Sequence, residues 1–112
     1  MTDKVVILVT ASSEAEGGKI ARHLVETQLA ACVNILQPVR SLYRWQGEIV
    51  EDRECLLIIK SARVLFAEIA AAILKLHSYQ TPEIICLPVL DGSPAYLQWI
   101  SDSVKPGAPR TP

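Results

Sequence analysis

The sequence predicts an α+β domain whose elements run β-α-β-β-α-β and end in a short C-terminal helix. Three observations predict it. A β-branched aliphatic run extends from Val5 to Val9, two separate stretches carry apolar stripes of helical period, and two long extended segments between them meet at Gln46-Gly47. The size agrees: 112 residues, half of them hydrophobic and 21% charged, make one domain with a true core. Such a composition does not support a long disordered region.

Lys4 to Thr10 reads as a fully buried strand, because its apolar residues are continuous rather than alternating. Ser13-Glu14-Ala15-Glu16 matches a capping box, in which Ser13 accepts from the Glu16 amide and Glu16 reaches back to the Ser13 amide. The helix that follows carries Ile20, Leu24 and Leu29 on one stripe, supported by Ala21 and Val25, with Gly17-Gly18 weakening its first turns. Ala31 to Trp45 turns extended, and Pro38 within it implies an edge position or a bulge. Gln46-Gly47 supplies the turn, and Ile49 to Lys60 returns, polar around Glu51 to Glu54 and apolar from Cys55 to Ile59.

Ser61 is placed to cap a second helix, in which Phe66, Ile69, Ile73 and Leu76 recur at spacings of three and four. Pro82 ends the loop after it by pushing Thr81 toward an extended conformation. Glu83 to Leu90 reads as the last strand, and Ser93-Pro94 opens a short helix to about Ser103. The order is that of a ferredoxin-like sandwich. Residues 1–104 form the domain, and 105–112, with three of the seven prolines, form a tail expected to be flexible.

The hairpin is longer than its helices can cover. An arm of about 13 residues extends roughly 40 Å, whereas a helix of about 16 residues covers roughly 24 Å. Tyr43, Trp45, Ile49 and Val50 fall in the overhang. Exposed strand edges bearing aromatics are an aggregation hazard, so the arithmetic favours a second subunit pairing there.

A formal net charge of -1 and the absence of any Lys/Arg run exclude nucleic acid and anionic membrane as expected partners. The N-terminal apolar run is too short for a secretory or membrane-spanning segment, which predicts a cytoplasmic protein. Cys32, Cys55 and Cys86 are odd in number and unpaired in spacing, so they read as small buried hydrophobes rather than a disulfide framework or a zinc site.

Several strings then act together: Ala31-Cys32-Val33-Asn34, Leu42-Tyr43-Arg44-Trp45-Gln46-Gly47-Glu48-Ile49, Glu51 and Glu54 before Lys60, and His77-Ser78-Tyr79-Gln80-Thr81-Pro82-Glu83-Ile84. Over roughly residues 4 to 104 the chain resembles the divalent-cation tolerance protein CutA family. The resemblance implies a homotrimer in which the hairpins pair between neighbours, an architecture shared with PII-like signalling proteins. It also implies a role in tolerance of divalent metals, copper among them, with no agreed chemical reaction. Copper-site members of the family share a cysteine near the end of the first strand and two adjacent histidines after the second helix. The corresponding places here are Val9, Leu76 and His77, so one of the three ligands is present. The family's His-Pro-Tyr string is His77-Ser78-Tyr79.

The metal candidates are therefore His77 and Glu83, six residues apart across one loop, an imidazole and a carboxylate of the kind that suit Cu(II) or Zn(II). On spacing alone the commoner reading of His77 is a helix-terminal residue favoured by the dipole. A cleft or interface constellation gathers Tyr43, Arg44, Trp45, Glu51 and Glu54 at the hairpin, with Tyr79 from the later loop. Aromatics and arginine are also what subunit packing selects. Gly17-Gly18-Lys19 lacks phosphate-loop spacing and lies inside a capped helix. Asn34 reads as satisfying backbone groups beside the hairpin rather than as an acylphosphatase residue, since no arginine sits in a loop to cradle an acyl phosphate. His23, in mid-helix, supplies no nucleophilic triad with His77.

The expectation is a homotrimeric protein of divalent metal tolerance that binds cations weakly, is not an enzyme and requires no cofactor, with Cu(II) or another divalent cation as the candidate ligand. The alternative is a PII-like small-molecule sensor or protein-docking scaffold that uses clefts between subunits.

Overall fold

The computed structural model describes residues 2–107. Its strands are β1 (Lys4–Ala11), β2 (Cys32–Trp45), β3 (Glu48–Ala62) and β4 (Ile84–Pro88), and its helices are α1 (Glu14–Glu26), α2 (Phe66–Leu76) and α3 (Pro94–Ser103). The four strands form one antiparallel sheet in the order β2-β3-β1-β4, as the predicted element order requires. β1 runs down the centre, with Val9 facing Leu57 on one side and Ile84 on the other.

The core lies on one face of the sheet. Val5, Ile7, Val9 and Ala11 of β1 alternate with half-buried neighbours and join Cys55, Leu57 and Ile59 of β3 under Ile20, Leu24, Ile69 and Ile73 of the helices. Each fully buried aliphatic side chain contributes about 1.5–3 kcal/mol relative to exposure. β1 is thus buried on one face only, contrary to the fully buried strand that its continuous apolar run predicts. Val6 and Leu8 face away from the helices, on a side that α1 and α2 do not cover.

Local chemistry explains most boundaries. Ser13 Oγ accepts from the Glu16 amide at 3.1 Å, as the capping box predicts. The Glu16 carboxylate does not return to the Ser13 amide, and accepts instead from Ser12 and Ser78. α1 stops at Glu26, short of Leu29, in a Schellman motif. Gln28 takes φ +60, its amide donates to the Val25 carbonyl, and the Leu29 amide donates to that of Leu24. Leu29 still reaches the core, folded back beside Leu24, while Val25 points outward and is exposed. Gly17 has a packing reason that helix propensity cannot reveal. A Cβ there would lie 2.6 Å from Cys55 Sγ, so its absence lets α1 close onto β3.

Ser61 is not a helix cap. It lies in β3 opposite Val5, fully buried, and its hydroxyl donates to the Leu29 carbonyl at 2.6 Å. A short 3₁₀ turn at Arg63–Leu65 leads into α2 instead. Asn34 is exposed and meets the Lys60 ammonium rather than backbone groups. Of the cysteines, Cys55 is buried and Cys32 and Cys86 are half-buried, all three as free thiols, and burial raises the Cys55 and Cys86 thiols above their ordinary range.

The hairpin turns at Gln46 (φ +49) and Gly47 (φ +80), a two-residue loop whose left-handed residues match the strand twist. Pro38 lies on the sheet's edge strand at a register shift between Leu36 and Val39, so both readings of that proline hold. β2 and β3 have 14 and 15 residues against 13 in α1 and 11 in α2, and the hairpin overhangs as the length arithmetic requires. Trp45 is 55% exposed and Ile49 71%. Beyond α3 the start of the expected tail is packed: the Lys105 amide donates to the Gln28 carbonyl at 2.8 Å, and Gly107 lies against Val64. The rest of the tail, 108–112, falls outside the described residues.

Candidate functional site: a cleft at the hairpin root

Where the overhang leaves the sheet, β2 and the loop between α2 and β4 enclose a cleft of about 710 Å³. Tyr43, Trp45, Tyr79, Glu54, Glu83 and Arg40 form its walls, with Thr10 at the end of β1. Four of these residues are held by definite contacts. Tyr79 OH donates to Glu54 Oε2 at 3.0 Å, and Tyr43 OH donates to the Asp52 carboxylate. Arg40 forks onto Glu51, with Nε to Oε2 at 3.2 Å and Nη2 to Oε1 at 3.1 Å. Burial and the hydrogen bond to Glu54 raise the Tyr79 phenol well above its ordinary range. The hydrogen bond to Asp52 raises that of Tyr43.

The loop that carries Tyr79 is anchored by His77. Its side chain is fully enclosed. Nε2 lies 2.6 Å from the Thr10 carbonyl, which can only accept, so Nε2 carries the proton. Nδ1 lies 3.0 Å from the Tyr79 amide, which can only donate, so Nδ1 offers its lone pair there. The Tyr79 ring packs against the imidazole at a centroid distance of 4.7 Å. Glu16 completes the anchor, its Oε2 accepting the Ser78 amide at 3.2 Å. Burial works to raise the Glu16 carboxyl, but hydrogen bonds from Ser78 and the Ser12 amide hold it below the usual carboxylate range.

The sequence-predicted residues divide accordingly. Tyr43, Trp45, Glu54, Tyr79 and Glu83 meet in the cleft, and Glu51 acts behind it through Arg40. Arg44 is exposed and does not line the cleft. His77 and Glu83 are not brought together as a pair: Glu83 is exposed on the cleft wall, whereas His77 lies enclosed behind it with both ring nitrogens engaged. His77 is the C-cap of α2, as the helix-terminal reading has it, and its ring is turned inward to Thr10 and Tyr79. Val9 and Leu76 pack in and against the core. Sequence reasoning missed Arg40 and Asp52 as partners and Glu16 as the loop anchor. The capping-box spacing did single out Glu16, but for a local hydrogen bond.

The sequence pattern of the CutA1 divalent ion tolerance protein family matches residues 5–103. The chain belongs to that family. It is 45% identical over 98 residues to the divalent-cation tolerance protein CutA of Thermus thermophilus, which covers 88% of this chain and 95% of the relative. The solved Thermus thermophilus structure superposes with a TM-score of 0.89 at 43% identity, covering 91% of this chain and 99% of that one. The CutA structure from Archaeoglobus fulgidus, described as periplasmic, gives 0.88 at 38% identity, covering 91% and 99%. The chloroplastic CutA of Arabidopsis thaliana is 39% identical over 101 residues, 90% of this chain and 56% of that protein. These relatives correct the cytoplasmic expectation. One CutA is periplasmic and another chloroplastic, so this fold and core are compatible with several compartments and a short N-terminal apolar run does not select one.

Proposed function

We propose that this CutA1-family chain works in divalent-cation tolerance as a non-catalytic homotrimer that binds cations such as Cu(II) weakly. The trimer reading is supported by the uncovered face of the sheet. Val6, Leu8, Leu56 and Ile58 are half-buried there beside Leu36, Ile85 and Leu87, each more than 40% exposed. Together with the hairpin overhang, this is an apolar surface that a second and third copy would bury. Ile58→Asp is expected to yield a folded species of one-third the mass by light scattering, and an unchanged mass would refute the interface.

The observation that carries weak rather than tight metal binding is the state of His77. Its imidazole must surrender the Tyr79 amide or the Thr10 carbonyl before it can coordinate, which subtracts from any affinity. Glu83 on the exposed cleft wall is the more accessible ligand. Calorimetric titration of the intact protein with Cu(II) and Zn(II) tests this. Weak saturable binding, reduced by Glu83→Gln, is expected, and tight binding indifferent to Glu83→Gln and His77→Ala would overturn it.

The cleft supports a second reading, in which the trimer is a PII-like sensor and the small-molecule ligand lies in clefts between subunits. At about 710 Å³, with aromatic walls and polar groups that include Arg40, Glu54 and Glu83, the cleft lies in the size range of small-molecule sites.

A further inference from the structure

We propose that the cleft at the hairpin root binds a small organic cation, an amine or quaternary ammonium carried on a flat apolar body. The proposal rests on the second reading above, that the cleft is a ligand site, and names the chemical class that site selects.

The walls decide the class. Tyr43, Trp45 and Tyr79 bring three aromatic rings to one cavity, and the negative face of an aromatic ring attracts a cation. The two tyrosine hydroxyls are committed to Asp52 and Glu54, which holds both rings in place and leaves Thr10, Ser41, Gln80 and Thr81 as the neutral polar groups of the lining. Arg40 is the cation among the lining residues, and Glu51 engages it through both carboxylate oxygens. Its charge is compensated within the protein.

The carboxylates are less fully matched. Glu54 is 9% exposed, and one of its oxygens takes the Tyr79 hydroxyl. Among the described residues its other oxygen accepts no hydrogen bond, although the residue lines the cleft. That second oxygen is open to the cleft, where it offers an incoming cation a carboxylate to pair with. Glu83 adds a second negative charge on the exposed side. An ammonium group thus meets aromatic faces and two carboxylates, and a carboxylate or phosphate ligand meets repulsion.

The test uses the intact protein and three probes of similar size: benzyltrimethylammonium, benzyl alcohol and phenylacetate, titrated by saturation-transfer NMR and calorimetry. The cation is expected to bind saturably and about tenfold more tightly than the alcohol, in line with a desolvated cation–π contact plus a carboxylate. Glu54→Gln and Trp45→Leu should each weaken it severalfold. Glu83→Gln, on the exposed wall, provides a variant whose folding is not at risk and should weaken it as well. Preference for phenylacetate would overturn the cation class while leaving the cleft as a ligand site. Failure of all three probes to bind would remove both readings. Cation binding indifferent to all three substitutions would place it elsewhere and overturn the proposal.

Discussion

The two faces of the sheet are built from the same strands and end differently. On one, Leu57 and Ile59 are completely buried beneath α1 and α2. On the other, Leu56 and Ile58, one residue away along β3, stay half open. Their chemistry is almost identical, so hydrophobicity does not separate them. What separates them is the number of helices, since two helices of 13 and 11 residues cover one face only. The first face is completed by its own chain. The second stays open in the single chain, and the hairpin root at its end is where the polar and aromatic groups collect.

The largest expected effect breaks or sharpens that contrast directly. Leu57→Ala should cost about 2–5 kcal/mol in urea unfolding, because a fully buried leucine leaves a cavity within one subunit. Leu56→Ala should cost an amount that varies with protein concentration, because in the proposed trimer its partners belong to another copy. A concentration-independent loss at Leu56 as large as that at Leu57 would show that the two faces are not different in kind.

A smaller effect probes the anchor between the closed face and the cleft. The Glu16 carboxyl lies below its ordinary range in the folded chain, so its contribution is present above the unfolded value and disappears as pH falls through the folded one. Glu16→Gln should remove about 1 kcal/mol at neutral pH, from the loss of a charged acceptor for the Ser12 and Ser78 amides. It should also flatten the acid limb of the stability curve. An acid limb identical to that of the unsubstituted protein would show that Glu16 does not tie the loop down.

The smallest effect lies at alkaline pH. The Tyr79 phenol is raised, so the stability it contributes is complete below the unfolded value of about 10 and is lost as pH rises from there through the higher folded one. Phenolate absorbance should show a late ionising step that Tyr79→Phe removes, with a change near neutrality of about 1 kcal/mol or less. Retention of that step in the variant would assign it to Tyr43, whose phenol is also raised.

The legible part of this protein was local. Ser13 before an apolar stripe, Gln46-Gly47 between extended runs, Pro38 on an edge and the arm lengths each carry their reason within a few residues, and each appears in the structure. The misreadings share a cause. Ser61 and Asn34 have side chains whose hydrogen bonds suit several environments, and the one realised was chosen by a partner far along the chain, Leu29 for one and Lys60 for the other. Gly17 looked like a flaw in α1 until Cys55 lay against it.

The candidate site follows the same division. Its residue types were readable, because aromatics, carboxylates and arginine stand close together in the hairpin and the later loop. Their roles were not, since His77 is decided by Thr10, 67 residues away, and Tyr79 by Glu54, 25 residues away. By itself the sequence determined the order of elements, the turn and the length of the hairpin, because backbone propensity and hydrophobic period act over a few neighbours. Only the tertiary structure decided that His77 is a buried anchor, that Arg40 is neutralised by Glu51 and that a cleft opens at the hairpin root. Such pairings arise when distant segments are packed together and each buried polar group takes the partner within reach.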